Sequence, residues 1–327
     1  MKKFLTYFFV AFAALMTGCD SEAVPEREDD YIGFSGTAMQ TQEVTKAGTS
    51  LINTAVELRE ESFGIFGYRS ADNVNFNTLV FETDAAIEVS YSGSEWTYSP
   101  KQKWLRSNWY RFRAFWPYEA RISPGSDANL MVIDYSAITD NYDLQVAYKE
   151  RYPIAEEISR VPMSFNHTLA ALCFKVKFKD GSLNTDAVTE FYLKGLKPTG
   201  TLVCGIDGTN VEADDFRWIS NTFDESSKIQ RWTGNRPFSS SGVATVYDND
   251  GVIFVIPQQA SSSKGDTSIN FYTQNGGSAL HTALIPAEQW MPGKVYTYTI
   301  VIHESDIELT VDIKDWSMLD SNFDINL

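Results

Sequence analysis

Histidine and cysteine are scarce in this chain, with three of each among 327 residues, and the chemistries that need imidazole or thiolate have few groups to work with. His167, His281 and His303 fall in no His-Glu-x-x-His arrangement and no Cys-x-x-Cys occurs, so the familiar zinc-binding spacings are missing. A hydrolase elbow needs Gly-x-Ser-x-Gly on a strand-to-helix turn, and the chain has none. Glycoside hydrolysis needs a facing pair of carboxylates, and no pair stands out among the 43 acids. His167 ends a strand run, where a structural hydrogen bond is the favoured role over catalysis. Asp248-Asn249-Asp250-Gly251 lacks the alternating ligands and distal Glu of a calcium loop, and reads as a hairpin turn between two strand runs. The reading is of a protein that is not an enzyme, with no metal and no cofactor. Basic charge is also in deficit, 27 Lys and Arg against 43 Asp and Glu for a formal charge of -16. Such a surface repels nucleic acid, which is therefore not expected as a partner.

What is present begins at the N-terminus. Lys2 and Lys3 precede an uncharged apolar run from Phe4 to Met16, too short to span a bilayer as a lasting helix. Leu15-Met16-Thr17-Gly18-Cys19 follows, and the small pair before a cysteine resembles the lipobox of bacterial lipoproteins. That resemblance implies a signal peptide over residues 1–18 and acylation of Cys19. Each buried CH₂ contributes roughly 0.8 kcal/mol, and firm anchoring takes more than one chain. Loss of Lys2 and Lys3 with the signal moves the formal charge from -16 to -18. Residues 19–30 are acidic, carry Pro25 and show no apolar periodicity, as a solvated tether would. Beyond Cys19 only Cys173 and Cys204 remain, too few for a disulfide framework, and two free thiols are expected.

From Tyr31 onward the signals are those of strands. Phe63 to Tyr68 is aromatic and branched, Trp109 to Phe115 alternates apolar with basic, and Leu172 to Phe178 alternates with lysines. Val252 to Ile256, Val295 to Ile302 and Ile307 to Ile313 continue the series. Period-two runs bounded by Gly, Pro, Asn and Asp predict antiparallel sheets with one wet face, and many short strands predict β-sandwiches. Helical periodicity is confined to a short stretch from Leu51 to Arg59. Ser239–Ser241 and Ser261–Ser263 read as loop tips. Within Val295–Ile302, the larger set Tyr296, Tyr298, Ile300 and Ile302 is expected in the core. Trp104, Trp109, Trp116, Trp290 and Trp316 read as core residues more than as sugar platforms.

Several segments together resemble the fimbrillin family, the pilus lipoproteins of anaerobic Gram-negative bacteria. They are Ile32-Gly33-Phe34 with Val44-Thr45-Lys46-Ala47, Ser62 to Tyr68, and Tyr110 to Pro117. Asp143 to Ala147 and Val161-Pro162-Met163-Ser164-Phe165-Asn166-His167-Thr168-Leu169-Ala170 follow. Phe254 to Gln258 and Trp290 to Tyr298, leading into Ile313-Lys314-Asp315-Trp316, complete the order across nearly the whole mature chain.

The resemblance implies an all-β protein with two tandem transthyretin-like antiparallel β-sandwich domains, at residues 31–170 and 171–327. It implies a cell-surface, outer-membrane lipoprotein that serves as a stalk, tip or anchor subunit of a pilus assembled by β-strand exchange. Its partners would be other pilus subunits and, through the lipid anchor, the outer membrane. The alternative is a non-polymerising surface lipoprotein that binds a glycan or a host ligand. In stalk subunits of the family a trypsin-like protease removes the first strand; the usual arginine of its Thr-Arg-Ala site is Lys46 here, and Arg59 is the next basic residue downstream. Tyr31 to Phe34 would be a removable edge strand, isolated by the polar run Ser35 to Gln42, with Ile32 and Phe34 filling pockets. Phe323, Ile325 and Leu327, apolar at period two in the tail, would be the donor that refills them, or else the last strand of the second sandwich.

Overall fold

The computed structural model describes residues 30–38, 62–93, 95–122, 130–151, 160–179, 186–205, 216–220, 223–226, 228–238, 242–246, 252–260, 266–275, 277, 279–303 and 306–315. Cys19, Lys46, Arg59, Trp316, Phe323, Ile325, Leu327, the serine clusters, the Leu51–Arg59 stretch and residues 247–251 lie outside them.

All regular elements among the described residues are strands, as the period-two patterning predicts. Eight strands form the first sheet. They are β1 (Phe34–Ala38), β2 (Phe63–Ser70), β3 (Thr78–Leu79), β4 (Ile87–Tyr91), β5 (Trp96–Thr97), β6 (Trp109–Trp116), β9 (Gln145–Arg151) and β10 (Val161–His167). Their order is β3-β2-β4-β5-β1-β10-β9-β6, and β6 pairs back onto β2 from Gly64↔Phe115 to Ser70↔Trp109. The path therefore closes into a ring around a core that includes Ile32, Phe34, Phe63, Phe112 and Phe165.

A second sheet joins β7 (Arg121–Ile122) and β8 (Met131–Ser136) to β13 (Thr199–Cys204) and β14 (Phe216–Ser220), in the order β14-β13-β8-β7. β13 meets β8 over six residue pairs, Thr199↔Ser136 to Cys204↔Met131, so strands from the two halves of the chain share backbone hydrogen bonds.

The remaining strands make two facing sheets. One contains β11 (Ala170–Phe178), β16 (Val243–Val246), β17 (Ile253–Val255), β20 (Lys294–Ile302) and β21 (Ile307–Asp315), with β20 parallel to β11 and β21 at the edge. The other orders β12 (Ala187–Lys194), β15 (Ile229–Pro237), β18 (Ser268–Thr273) and β19 (His281–Leu284) as β15-β12-β18-β19. β16 and β17 both run antiparallel to β11, at Phe174↔Val246 and Ala170↔Val255. They thus continue in the same direction along one edge, which corrects the expected hairpin between them.

The second core packs this half against the outer face of the ring. Phe66, Tyr68 and Phe115 from β2 and β6 join Leu172, Phe174, Tyr296 and Tyr298 in one cluster. β2 and β6 are consequently buried on both faces. This corrects the expectation of a wet basic face. Arg111 sits over the Phe76 ring at 3.9 Å and pairs with Glu150 at 3.2 Å. Arg113, 1% exposed, lies over the Tyr148 ring and donates to the Cys204 carbonyl in the other half of the chain at 3.4 Å. A buried guanidinium is tolerable only with such partners, because its desolvation is otherwise costly.

Cys173 and Cys204 are both buried free thiols, as expected, and burial pushes the Cys204 thiol up to about 12. In β20 the Tyr and Ile set faces the core as predicted, while Val295 and Val301 on the other face are buried as well. The tyrosines also fold the approach to that strand: Trp290 donates to the Tyr298 hydroxyl at 2.8 Å, and the Tyr296 hydroxyl donates to the Gln289 carbonyl at 3.0 Å.

Candidate functional site: the seat of the first strand

β1 is a stave of the ring rather than an edge. It runs parallel to β10 from Phe34↔Val161 to Ala38↔Phe165, and on its other side Phe34 pairs with Trp96 of β5. The strand begins later than the sequence suggests and takes in Ser35 to Ala38, the start of the polar run expected to isolate it. Those small and polar residues fit because five consecutive register pairs with β10 hold them, a long-range pairing that local apolarity does not signal. Upstream, Tyr31 bridges to Lys103, and Ile32 N–H donates to the Gln102 carbonyl at 2.8 Å. Trp104 N–H reaches the Asp30 carbonyl at 3.0 Å, and Val161 N–H the Gly33 carbonyl at 2.9 Å.

Alternation sends Ile32 and Phe34 inward, where both are fully buried. The Phe34 ring meets Phe112 edge-on at 5.3 Å and Tyr98 at 5.6 Å, within the range where aromatic pairs add to plain burial. β10 supplies Val161, Met163 and Phe165 to the same core and turns Pro162 and Ser164 to solvent. Tyr98 ties the floor to the strand: its hydroxyl donates to the Ile32 carbonyl at 3.0 Å and accepts from Gln102 N–H at 3.2 Å. Burial pushes the Tyr98 phenol up to about 12.

Gly33 points outward between these two. A Cβ there would lie 3.1 Å from Cγ of Arg160, whose stem crosses the strand and whose guanidinium bonds Glu95 at 2.5 Å. Arg160 precedes β10 and Glu95 precedes β5, so the pair joins the two strands that flank β1. Sequence reasoning missed Tyr98, Arg160 and Glu95. They lie 62 to 127 positions from Gly33 along the chain, and nothing in their local patterns marks them.

His167 takes the structural bond expected of it. Its Nδ1 lies 3.0 Å from the fully buried Asp143 carboxylate, whose other oxygen accepts from Gln145 at 2.7 Å. His281 is stacked on Phe271 at 5.0 Å, and partial burial holds its pKa below the usual value. Among the described residues no group of three or more His, Cys, Asp or Glu side chains is arranged to hold a metal ion. No described helix is long and apolar enough to cross a membrane.

A family model described as fimbrillin-like matches residues 45–316. No curated protein matches the chain. Among solved structures, a fimbrial protein from Bacteroides vulgatus superposes with a TM-score of 0.57 at 15% identity, over 88% of this chain and 99% of its own. A candidate cell adhesion protein from Bacteroides ovatus gives a TM-score of 0.56 at 16% identity, over 89% and 99% of the two chains. At such identities these likenesses speak for the fold.

Proposed function

Since this chain belongs to the fimbrillin-like family, we propose that it is a cell-surface lipoprotein, anchored in the outer membrane through Cys19, that serves as a structural or accessory pilus subunit joined to others by strand exchange. We read residues 31–170 and 171–327 as its two sandwich units, bound together through the shared β7-β8-β13-β14 sheet. In this reading β1 is a placeholder. Cleavage at Lys46 or Arg59 frees it, and a strand from another copy carrying Phe323, Ile325 and Leu327 takes its seat.

The observation that carries the reading is the seat itself. The segment from Ile32 through β1 contributes two fully buried side chains and bonds on both flanks, so its departure would strip β10 of its partner from Val161 to Phe165 and empty the Ile32 and Phe34 sites. Filling each such site stabilises by roughly 1.5–3 kcal/mol, which is a sufficient driving force for β-strand addition.

N-terminal sequencing of protein sheared from cells tests the reading. An N-terminus at Ala47 or just after Arg59 is expected for a polymerised subunit, and a blocked, fatty-acid-labelled Cys19 for an anchor. A Cys19→Ser chain that still labels and reaches the surface would remove the lipoprotein assignment. An uncleaved, monomeric chain that binds a glycan or host ligand would favour the non-polymerising alternative.

A further inference from the structure

β21 forms the edge of its sheet and is among the longest strands of the described fold, with nine residues from Ile307 to Asp315. Its inner edge is fully used by β20, in unbroken register from Ile302↔Ile307 to Lys294↔Asp315. His303 N–H bonds the Asp306 carbonyl at 2.9 Å, which fixes the phase of that ladder. In antiparallel pairs the bonded positions recur at every second residue, so Glu308, Thr310, Asp312 and Lys314 spend their backbone groups on β20. Ile307, Leu309, Val311 and Ile313 therefore aim their N–H and C=O groups outward. β19 of the facing sheet packs against β21 without pairing to it, yet Val311 is 37% and Ile313 46% exposed. A long, regular edge with exposed branched side chains is a template for another strand.

We propose that the occupant of this edge is β21 of a second copy, paired antiparallel about a two-fold axis at Val311. A two-fold contact is self-complementary, so its register can be written from one sequence. Centred on Val311, the bonded positions pair Val311 with Val311 and Leu309 with Ile313 of the second copy, and every outward donor meets an outward acceptor. Between them, in the positions where side chains approach most closely, Glu308 stands opposite Lys314 and Thr310 opposite Asp312, each twice. Neighbouring registers of the same phase are repulsive. A Thr310 centre sets Glu308 against Asp312 twice, and an Asp312 centre sets Asp312 against itself. Opposite charges directly across a ladder are favourable and like charges unfavourable, so the strand specifies one alignment over all nine residues. Within one copy Glu308 bonds His303 at 3.2 Å, while among the described residues Lys314 has only Asp312, 3.8 Å away on its own strand. The contact would be lateral and closed at two copies, unlike head-to-tail strand exchange, and it does not depend on cleavage of β1.

The test uses the full chain purified in mild detergent. Light scattering against concentration should show a dimer. Glu308→Lys and Lys314→Glu should each weaken it about tenfold or more, since each puts like charges across the ladder twice, and the double reversal should restore it. Val311→Cys should cross-link two copies under mild oxidation, because that position faces itself, whereas Leu309→Cys should not. A chain that stays monomeric, or a dimer indifferent to these reversals, overturns the proposal. So does strong hydrogen-exchange protection of the Leu309, Val311 and Ile313 amides in a monomer, which would put the chain's own tail on that edge.

Discussion

Arg160 and Glu95 meet at 2.5 Å over the outer face of Gly33, linking the strand before β1 in the ring to the strand after it. A Cβ at that position would sit 3.1 Å from the arginine Cγ and would make the stem give way by a few tenths of an ångström. The pair is half-exposed and contributes little to global stability, about 0–1 kcal/mol. Its effect is local, because β1 cannot lift outward while the pair is closed. Arg160→Ala is expected to speed hydrogen exchange of the β1 amides and tryptic release of the strand several-fold, with a melting temperature within about 2 °C of the parent. Equal release rates for the two chains would show that the pair restrains nothing.

Mild trypsin is expected to cut after Lys46 or Arg59, the two basic residues between β1 and β2, and to leave the body folded. The nicked chain should form oligomers that resist dissociation, and deletion of Ser317 to Leu327 should abolish them. A nicked chain that remains monomeric would count against exchange through this seat. If the deletion unfolds the β11-β20-β21 sandwich, the tail is a structural strand.

Ile300 is fully buried between β11 and β21, and its neighbour Thr299 is half-buried on the opposite face. Ile300→Ala should cost about 2–5 kcal/mol and lower the melting temperature accordingly, while Thr299→Ala should cost under about 1 kcal/mol. Calorimetry of the two variants checks the register of β20, and a reversed ranking would mean a slip of one residue.

Alkaline pH should unfold the chain for a definable reason. The folded Tyr98 phenol holds its proton up to about 12 against 10.0 when free, and the Cys204 thiol up to about 12 against 9.0. The folded state thus binds these protons more tightly. The stability they contribute is intact below pH 9 and is lost as pH climbs from 9 toward 12. Urea midpoints measured between pH 8 and 11.5 should fall with that profile. Tyr98→Phe should make the fall shallower while costing about 1 kcal/mol at pH 7 for the lost bond to the Ile32 carbonyl. An unchanged slope would remove Tyr98 from the account.

Strand identity was legible wherever apolar residues alternate over six or more positions, as in Trp109–Phe115, Leu172–Phe178 and Val295–Ile302. What alternation cannot encode is which face meets water once a sheet is covered on both sides. Arg111 and Arg113 look solvent-facing in sequence, and partners such as Glu150, Tyr148, Phe76 and the Cys204 carbonyl, 35 to 91 positions away, make their burial tolerable. The seat of β1 was half legible. Ile32 and Phe34 announce an inward face, but parallel pairing to Val161–Phe165 and the Arg160–Glu95 crossing are tertiary facts with no local trace.

The β8–β13 ladder also has a mechanical meaning. Tension applied at the two ends of the molecule must pass from the ring to the second sandwich, and between them lie six paired positions of antiparallel strand together with the buried Arg113–Cys204 contact. Such a joint does not behave as a swivel. A fibre strung from these molecules would bend at the junctions between copies and not within them, and under flow it would carry load as a row of stiff links.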